Sequence, residues 1–185
     1  MIFNETKIKG LWVIELEPRG DDRGYFVRNF AKEEFAAQGI EYEIVHINRS
    51  FSKLKGTTRG LHYEVPPKVG NKTIQCLQGR FFWAAVDIRK DSPTYGQFFS
   101  KELSADKKEM VLCPRGCANG IQVLEDDSEL QYFMTQGYAP ECERGIPWND
   151  PYFHIDWPFK TPTVISDKDL KWPAVDPQNP PAVTL

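Results

Sequence analysis

The sequence predicts an all-β fold, a two-sheet barrel or jelly roll, and three observations lead there. Apolar residues come in short runs, Gly, Pro, Asp and Ser clusters separate the runs, and no series of long helices alternates with them. The first expected strand, residues 11–16, stops at Glu17-Pro18. The next, 25–30, follows Gly24, and 32–38 is the one amphipathic helix candidate, closed by Gly39. Strands 44–49 and 57–63 lie either side of the Lys55-Gly56 break, and 73–77 and 81–87 either side of Gly79. Strands 97–103, 110–112, 120–123 and 130–134 follow Gly96, Asp106, Gly116 and Asp126-Asp127 in turn. Segments this short and numerous do not form one flat sheet. They close on themselves and leave an interior in which a ligand can sit.

Beyond residue 139, Pro140, Pro147, Pro151, Pro158 and Pro162 interleave with Trp148, Tyr152, Phe153 and Trp157. This segment, 139–185, is expected to wrap around the barrel as part of a single domain spanning 1–185. Its end, 172–185, is Pro-rich and reads as extended or partly disordered.

A net charge of −3 with scattered Lys and Arg argues against nucleic-acid and membrane partners, while a small anionic ligand fits. No apolar run approaches membrane-spanning length, and a soluble cytoplasmic protein is expected. Cys76, Cys113, Cys117 and Cys142 have the spacing neither of a secreted disulfide framework nor of a zinc site, so they read as reduced structural thiols.

Three histidines, His46, His62 and His154, are the side chains best able to exchange a proton near neutral pH. His62 lies in Arg59-Gly60-Leu61-His62-Tyr63, where strand alternation sends Arg59, Leu61 and Tyr63 to one face and Gly60, His62 and Glu64 to the other. A histidine in a strand is more often a hydrogen-bonded core residue than a catalyst, and its surroundings have to decide.

Those surroundings hold an ordered series of motifs. Asp22-Arg23-Gly24-Tyr25-Phe26 comes first, then Arg59-Gly60-Leu61-His62-Tyr63 with Pro66-Pro67, and Val86-Asp87-Ile88-Arg89 with Ser92-Pro93-Thr94-Tyr95-Gly96. Tyr138-Ala139-Pro140, Glu143-Arg144-Gly145, Trp148-Asn149-Asp150-Pro151, Ile155-Asp156-Trp157-Pro158 and Ser166-Asp167-Lys168-Asp169 follow. Over nearly its whole length the chain resembles the dTDP-4-dehydrorhamnose 3,5-epimerase family of deoxysugar biosynthesis. The resemblance implies a cupin-type jelly roll, or double-stranded β-helix, with a few short helices. It implies a homodimer that inverts C3 and/or C5 of a nucleotide-linked 4-keto-6-deoxyhexose with no metal and no cofactor.

Removing a hydrogen beside a ketone requires a base and a group that stabilises the enolate. By the resemblance His62 is the base, Asp169 the carboxylate that orients its imidazole, Lys72 the cation near the ketone oxygen, and Tyr132 the phenol that returns a proton. Arg23 and Arg59 suit the two phosphates of a nucleoside diphosphate. Asn48, Tyr138, Glu143 and Lys168 also match substrate-binding positions of the family.

Four positions depart from that pattern, one of them Cys117, where a phenylalanine is common. Arg28 stands where a glutamate is common, and His46 where a glutamine is common. A donor at Arg28 suits the bare N3 of cytosine as well as a phosphate, so a CDP-linked 4-keto sugar, as in ascarylose-type pathways, stands beside the dTDP-linked one. Asn119 stands where a histidine is common, and an amide cannot relay protons, which opens the alternative of inversion at C3 or C5 alone. Two further readings are a 3,4-ketoisomerase on the same scaffold and a non-catalytic sugar-nucleotide binding module.

Overall fold

The computed structural model describes residues 1–185. Two antiparallel sheets face each other. The first carries β1 (Ile2–Glu5), β2 (Trp12–Glu15), β10 (Glu109–Cys113), β7 (Lys72–Gln78), β12 (Ser128–Met134) and β5 (His46–Ser52), in that spatial order. The second carries β13 (Glu143–Gly145), β6 (Thr58–Glu64), β11 (Cys117–Val123), β8 (Arg80–Asp87) and β9 (Phe98–Ser104). A separate two-stranded ribbon joins β3 (Arg19–Asp21) to β4 (Gly24–Phe26). The helices are α1 (Lys32–Ala37) and α2 (Asp167–Leu170). The fold is the cupin-type jelly roll expected from the motifs. Each strand read from the sequence has a counterpart, although the expected 25–30 shrinks to Gly24–Phe26. No helix is long and apolar enough to cross a membrane.

Strand β8 shows why the fold needs three apolar layers. Its Phe81, Trp83 and Ala85 point between the sheets, where they meet Leu11, Ile74, Leu103, Val111 and Leu130. The alternate residues Ala84 and Val86 point outward and are covered by Trp148, Phe153 and Trp157 of the proline-rich segment. A strand covered on both faces therefore reads as a continuous apolar run. The outer face of the six-stranded sheet is covered by Phe35 of α1 and by Tyr42, packed on Ile14, Met110, Leu112 and Phe133. The end of the chain, read from the sequence as extended or partly disordered, is extended and pinned. Val183 is buried, its N–H donates to Ile88 O at 2.7 Å, and its carbonyl accepts from Lys90 N at 2.9 Å.

At the end of β8 the fully buried Asp87 organises the following turn. Its carboxylate accepts from Arg89 N (3.0 Å), Nε (2.9 Å) and Nη2 (2.7 Å), from Ser92 Oγ (2.5 Å) and from Thr94 Oγ1 (2.6 Å). Burial pushes this carboxyl up, but the Arg89, Ser92 and Thr94 hydrogen bonds outweigh it and bring the pKa from 3.8 to about 2. A depressed carboxyl contributes stability that is complete above its unfolded pKa and is lost as pH falls through the folded one. Asp87 therefore supplies about 2 kcal/mol that disappears on acidification from about pH 4 to about pH 2. Asp87→Ala, which strands Arg89, is expected to lower unfolding free energy by about 3 kcal/mol in denaturant titrations and to remove this part of the acid sensitivity.

Candidate active site

Strand β6 does not alternate regularly. Opposite it, β11 pairs Asn119 with His62 and Ile121 with Arg59, so three steps on β6 face two on β11. The extra residue is a β-bulge, and it falls at Gly60, whose φ of +102° lies in the left-handed region. A Cβ there would come within 2.7 Å of Asn119 O, so the position requires glycine. The bulge corrects the expected facing of Arg59. Alternation puts Arg59 and His62 on opposite faces, whereas both line one cavity.

That cavity, of about 380 Å³, is bounded by Arg59, His62, Lys72, Asn119, Tyr132, Lys168 and Asp169 among others. A second cavity, of about 230 Å³, shares His62, Lys72, Asn119 and Tyr132 and adds His46, Asn48, Glu64, Tyr138 and Glu143. The shared side chains come from both sheets: His62 and Asn119 from β6 and β11, Lys72 and Tyr132 from β7 and β12. Imidazole and phenol thus border the same hollow. Lys72 Nζ lies 5.6 Å from the centre of the Tyr132 ring, a cation–π distance.

Asp169 reaches the site from the far end of the chain. Ser166 caps α2, its Oγ accepting from Asp169 N at 3.1 Å, and the turn delivers the Asp169 carboxylate, 4% exposed, against β6. Oδ1 lies 2.5 Å from His62 Nε2 and accepts from Trp172 Nε1 at 3.2 Å, while Oδ2 accepts from Gly60 N at 3.3 Å. Burial raises the Asp169 pKa, but the His62 hydrogen bond and charge, with the Gly60 and Trp172 hydrogen bonds, outweigh it and hold the carboxyl below its ordinary value. An ionised carboxylate can only accept, so His62 Nε2 carries the hydrogen and Nδ1 keeps the lone pair that can take a proton.

Other site residues are fixed by neighbours. Asn119 Nδ2 donates to His62 O at 3.3 Å, and Lys168 Nζ pairs with Glu143 at 2.7 Å. Two of the expected ligands lie elsewhere. Arg23 sits on the β3–β4 ribbon, 89% exposed and paired with Asp21 at 2.5 Å, and Arg28 is exposed beyond it; neither lines either of these two cavities. Glu64 and Trp172 were not singled out from the sequence. Glu64 was already visible as the inward neighbour of His62 by strand alternation, but Trp172 gave no comparable signal. It stacks over Gly145, where a Cβ would come within 2.1 Å of its ring. No three His, Cys, Asp or Glu side chains converge as a group able to hold a metal ion.

The comparisons with known proteins bear on this arrangement. The model of the dTDP-4-dehydrorhamnose 3,5-epimerase family matches residues 5–176. This chain belongs to that family. The dTDP-4-dehydrorhamnose 3,5-epimerase of Shigella flexneri is 40% identical over 167 residues, 90% of this chain and 91% of the relative. The crystal structure of the Bacillus anthracis dTDP-4-dehydrorhamnose 3,5-epimerase, with TDP and PPi bound, superposes with a TM-score of 0.90 at 36% identity, covering 94% of this chain and 99% of that one. A Legionella pneumophila dTDP-6-deoxy-D-glucose-3,5-epimerase in complex with dTDP-4-keto-L-rhamnose gives 0.89 at 34%, covering 100% and 99%.

Asp169→Asn keeps the shape of the site but leaves His62 no ionised partner. It is expected to slow proton exchange at least about 10²-fold, with thermal unfolding measured alongside to exclude a loss of fold.

Proposed function

We propose that this protein removes a proton beside the C4 ketone of a dTDP-linked 4-keto-6-deoxyhexose and returns it to the opposite face, inverting C3 and C5. One observation carries the reading: a carboxylate-bound imidazole from one sheet and a phenol with a lysine from the other border a single hollow. His62 Nδ1 takes the proton, Lys72 stabilises the oxyanion of the enolate, and the Tyr132 hydroxyl supplies a proton from across the cavity. Arg59 and Lys168 offer cations to the diphosphate.

A thymidine nucleotide is favoured over cytidine. The solved Bacillus anthracis and Legionella pneumophila relatives hold TDP and dTDP-4-keto-L-rhamnose respectively, and Arg28, on which the cytidine reading rested, is outside both cavities. The four free, buried cysteines agree with a reducing cytoplasm.

The test is incubation of the dTDP-4-keto sugar in deuterated water followed by NMR. Deuterium at C3 and C5 with the ketone still at C4 is expected; migration of the ketone, or binding without exchange, refutes the reading. His62→Ala is expected to reduce exchange about 10²–10⁴-fold, and Tyr132→Phe to allow exchange while impairing inversion.

A homodimer is part of this proposal. Strand β5 is an open edge of the six-stranded sheet, and its outward face exposes Ile47 (57%) and Phe51 (53%), with Tyr25 and Phe26 of the ribbon exposed as well. Arg23 and Arg28 then act on substrate only through the second copy. Sedimentation is expected to give a dimer for the natural chain and a monomer for Ile47→Glu/Phe51→Glu; a monomeric natural chain counts against the assignment.

A further inference from the structure

Glu64 follows His62 by two positions on β6 and shares its inward face, about 6.6 Å further along the strand. That spacing is comparable to the width of a hexose ring. Glu64 lines the same cavity as His62, Lys72, Tyr132 and Glu143. Pairing of β13 with β6 sets Glu143 directly opposite Glu64. Two carboxylates in register on adjacent strands repel each other unless a cation or a ligand answers them.

The two are not equivalent. Glu143 is neutralised by Lys168 at 2.7 Å. Glu64 accepts one hydrogen bond, from Gly70 N to Oε2 at 2.9 Å, and its Oε1 has no partner in the chain. Burial raises the Glu64 pKa, and the Glu143 charge adds to this, while the Gly70 N–H and the Lys72 charge oppose it. A half-buried carboxylate with an open acceptor therefore stands one residue pair from the base, inside the substrate cavity.

We propose that Glu64 is a sugar-reading residue: its free carboxylate oxygen accepts a hydrogen bond from a ring hydroxyl of the hexose whose proton His62 removes. This rests on the epimerase reading. A 4-keto-6-deoxyhexose joined at C1 to a nucleotide carries only two hydroxyls, on C2 and C3, so the donor is one of these.

The experiment measures binding of dTDP, of the dTDP-4-keto-6-deoxyhexose and of its 2-deoxy and 3-deoxy analogues to the natural chain, Glu64→Ala and Glu64→Gln. Loss of a charge-assisted hydrogen bond is expected to weaken the full sugar nucleotide about tenfold or more in Glu64→Ala, with dTDP affinity unchanged. One deoxy analogue should bind the natural chain as weakly as the full substrate binds Glu64→Ala, and should be insensitive to the substitution. Glu64→Gln serves if the alanine variant does not fold. Its amide oxygen takes the Gly70 N–H and turns an NH₂ toward the sugar, so weakening is again expected.

Equal weakening of dTDP and sugar nucleotide, or undiminished sensitivity with both deoxy analogues, overturns the proposal. Deuterium exchange by the natural chain is scored separately. Its absence refutes the epimerase reading, whereas exchange with indifferent Glu64 variants refutes only the role of Glu64.

Discussion

The site depends on one contact, the 2.5 Å approach of Asp169 to the imidazole of His62. Removing a carboxylate from water is costly unless its oxygens are filled, and here each filling partner is a structural decision made elsewhere in the chain. The bulge in β6 takes Gly60 out of regular register with β11, and its N–H goes to Asp169 instead. The indole of Trp172 supplies another donor, and its seat is the bare Cα of Gly145 on β13. Ser166 holds the turn that carries the carboxylate. The proline-rich end of the chain is thus more than a cover for the barrel. It delivers the partner without which His62 has no fixed tautomer.

The barrel interior is divided by the same logic. Toward one end, Phe81, Trp83, Leu103 and Val123 fill the space between the sheets and fix their separation. Toward the other end the inward positions become polar, and the space stays open. Cys113 and Cys117 lie where the two regimes meet, in the apolar cluster and on the cavity wall together. Contact with the Cys113 thiol and burial raise the Cys117 pKa well above the usual thiol range, so it remains a neutral wall rather than a nucleophile.

Strand periods and motifs carried most of this into the sequence, because burial enforces alternation wherever a strand is regular. Alternation misleads wherever a strand is irregular. Arg59 was assigned to the wrong face because a bulge leaves no trace in hydrophobic pattern, and only Gly60 hinted at one. Trp172 stayed hidden because its partners, Asp169 and Gly145, are a near neighbour and a distant one, and sequence gives no sign that they converge. Arg23 and Arg28 read as ligands by motif position and by their chemistry, and neither shows that their ribbon stands apart from both cavities. Whether a ribbon folds over its own barrel or stands away from it is a tertiary outcome that no local propensity sets.

Asn119 shows how a departure from the family pattern can be absorbed. Its amide lies opposite His62 in the ladder and donates to the His62 carbonyl, so it braces the backbone at His62. On the proposed reading, an amide in this place leaves proton transfer to His62 and Tyr132, with Lys72 as a cation bordering the same hollow. Two inversions do not require two bases. C3 and C5 are acidified by the same ketone, and one imidazole facing one phenol can serve each carbon in turn if the ring is presented twice. On the proposed reading, what must then change between the two events is the pose of the sugar, which the groups that grip its hydroxyls and phosphates would set.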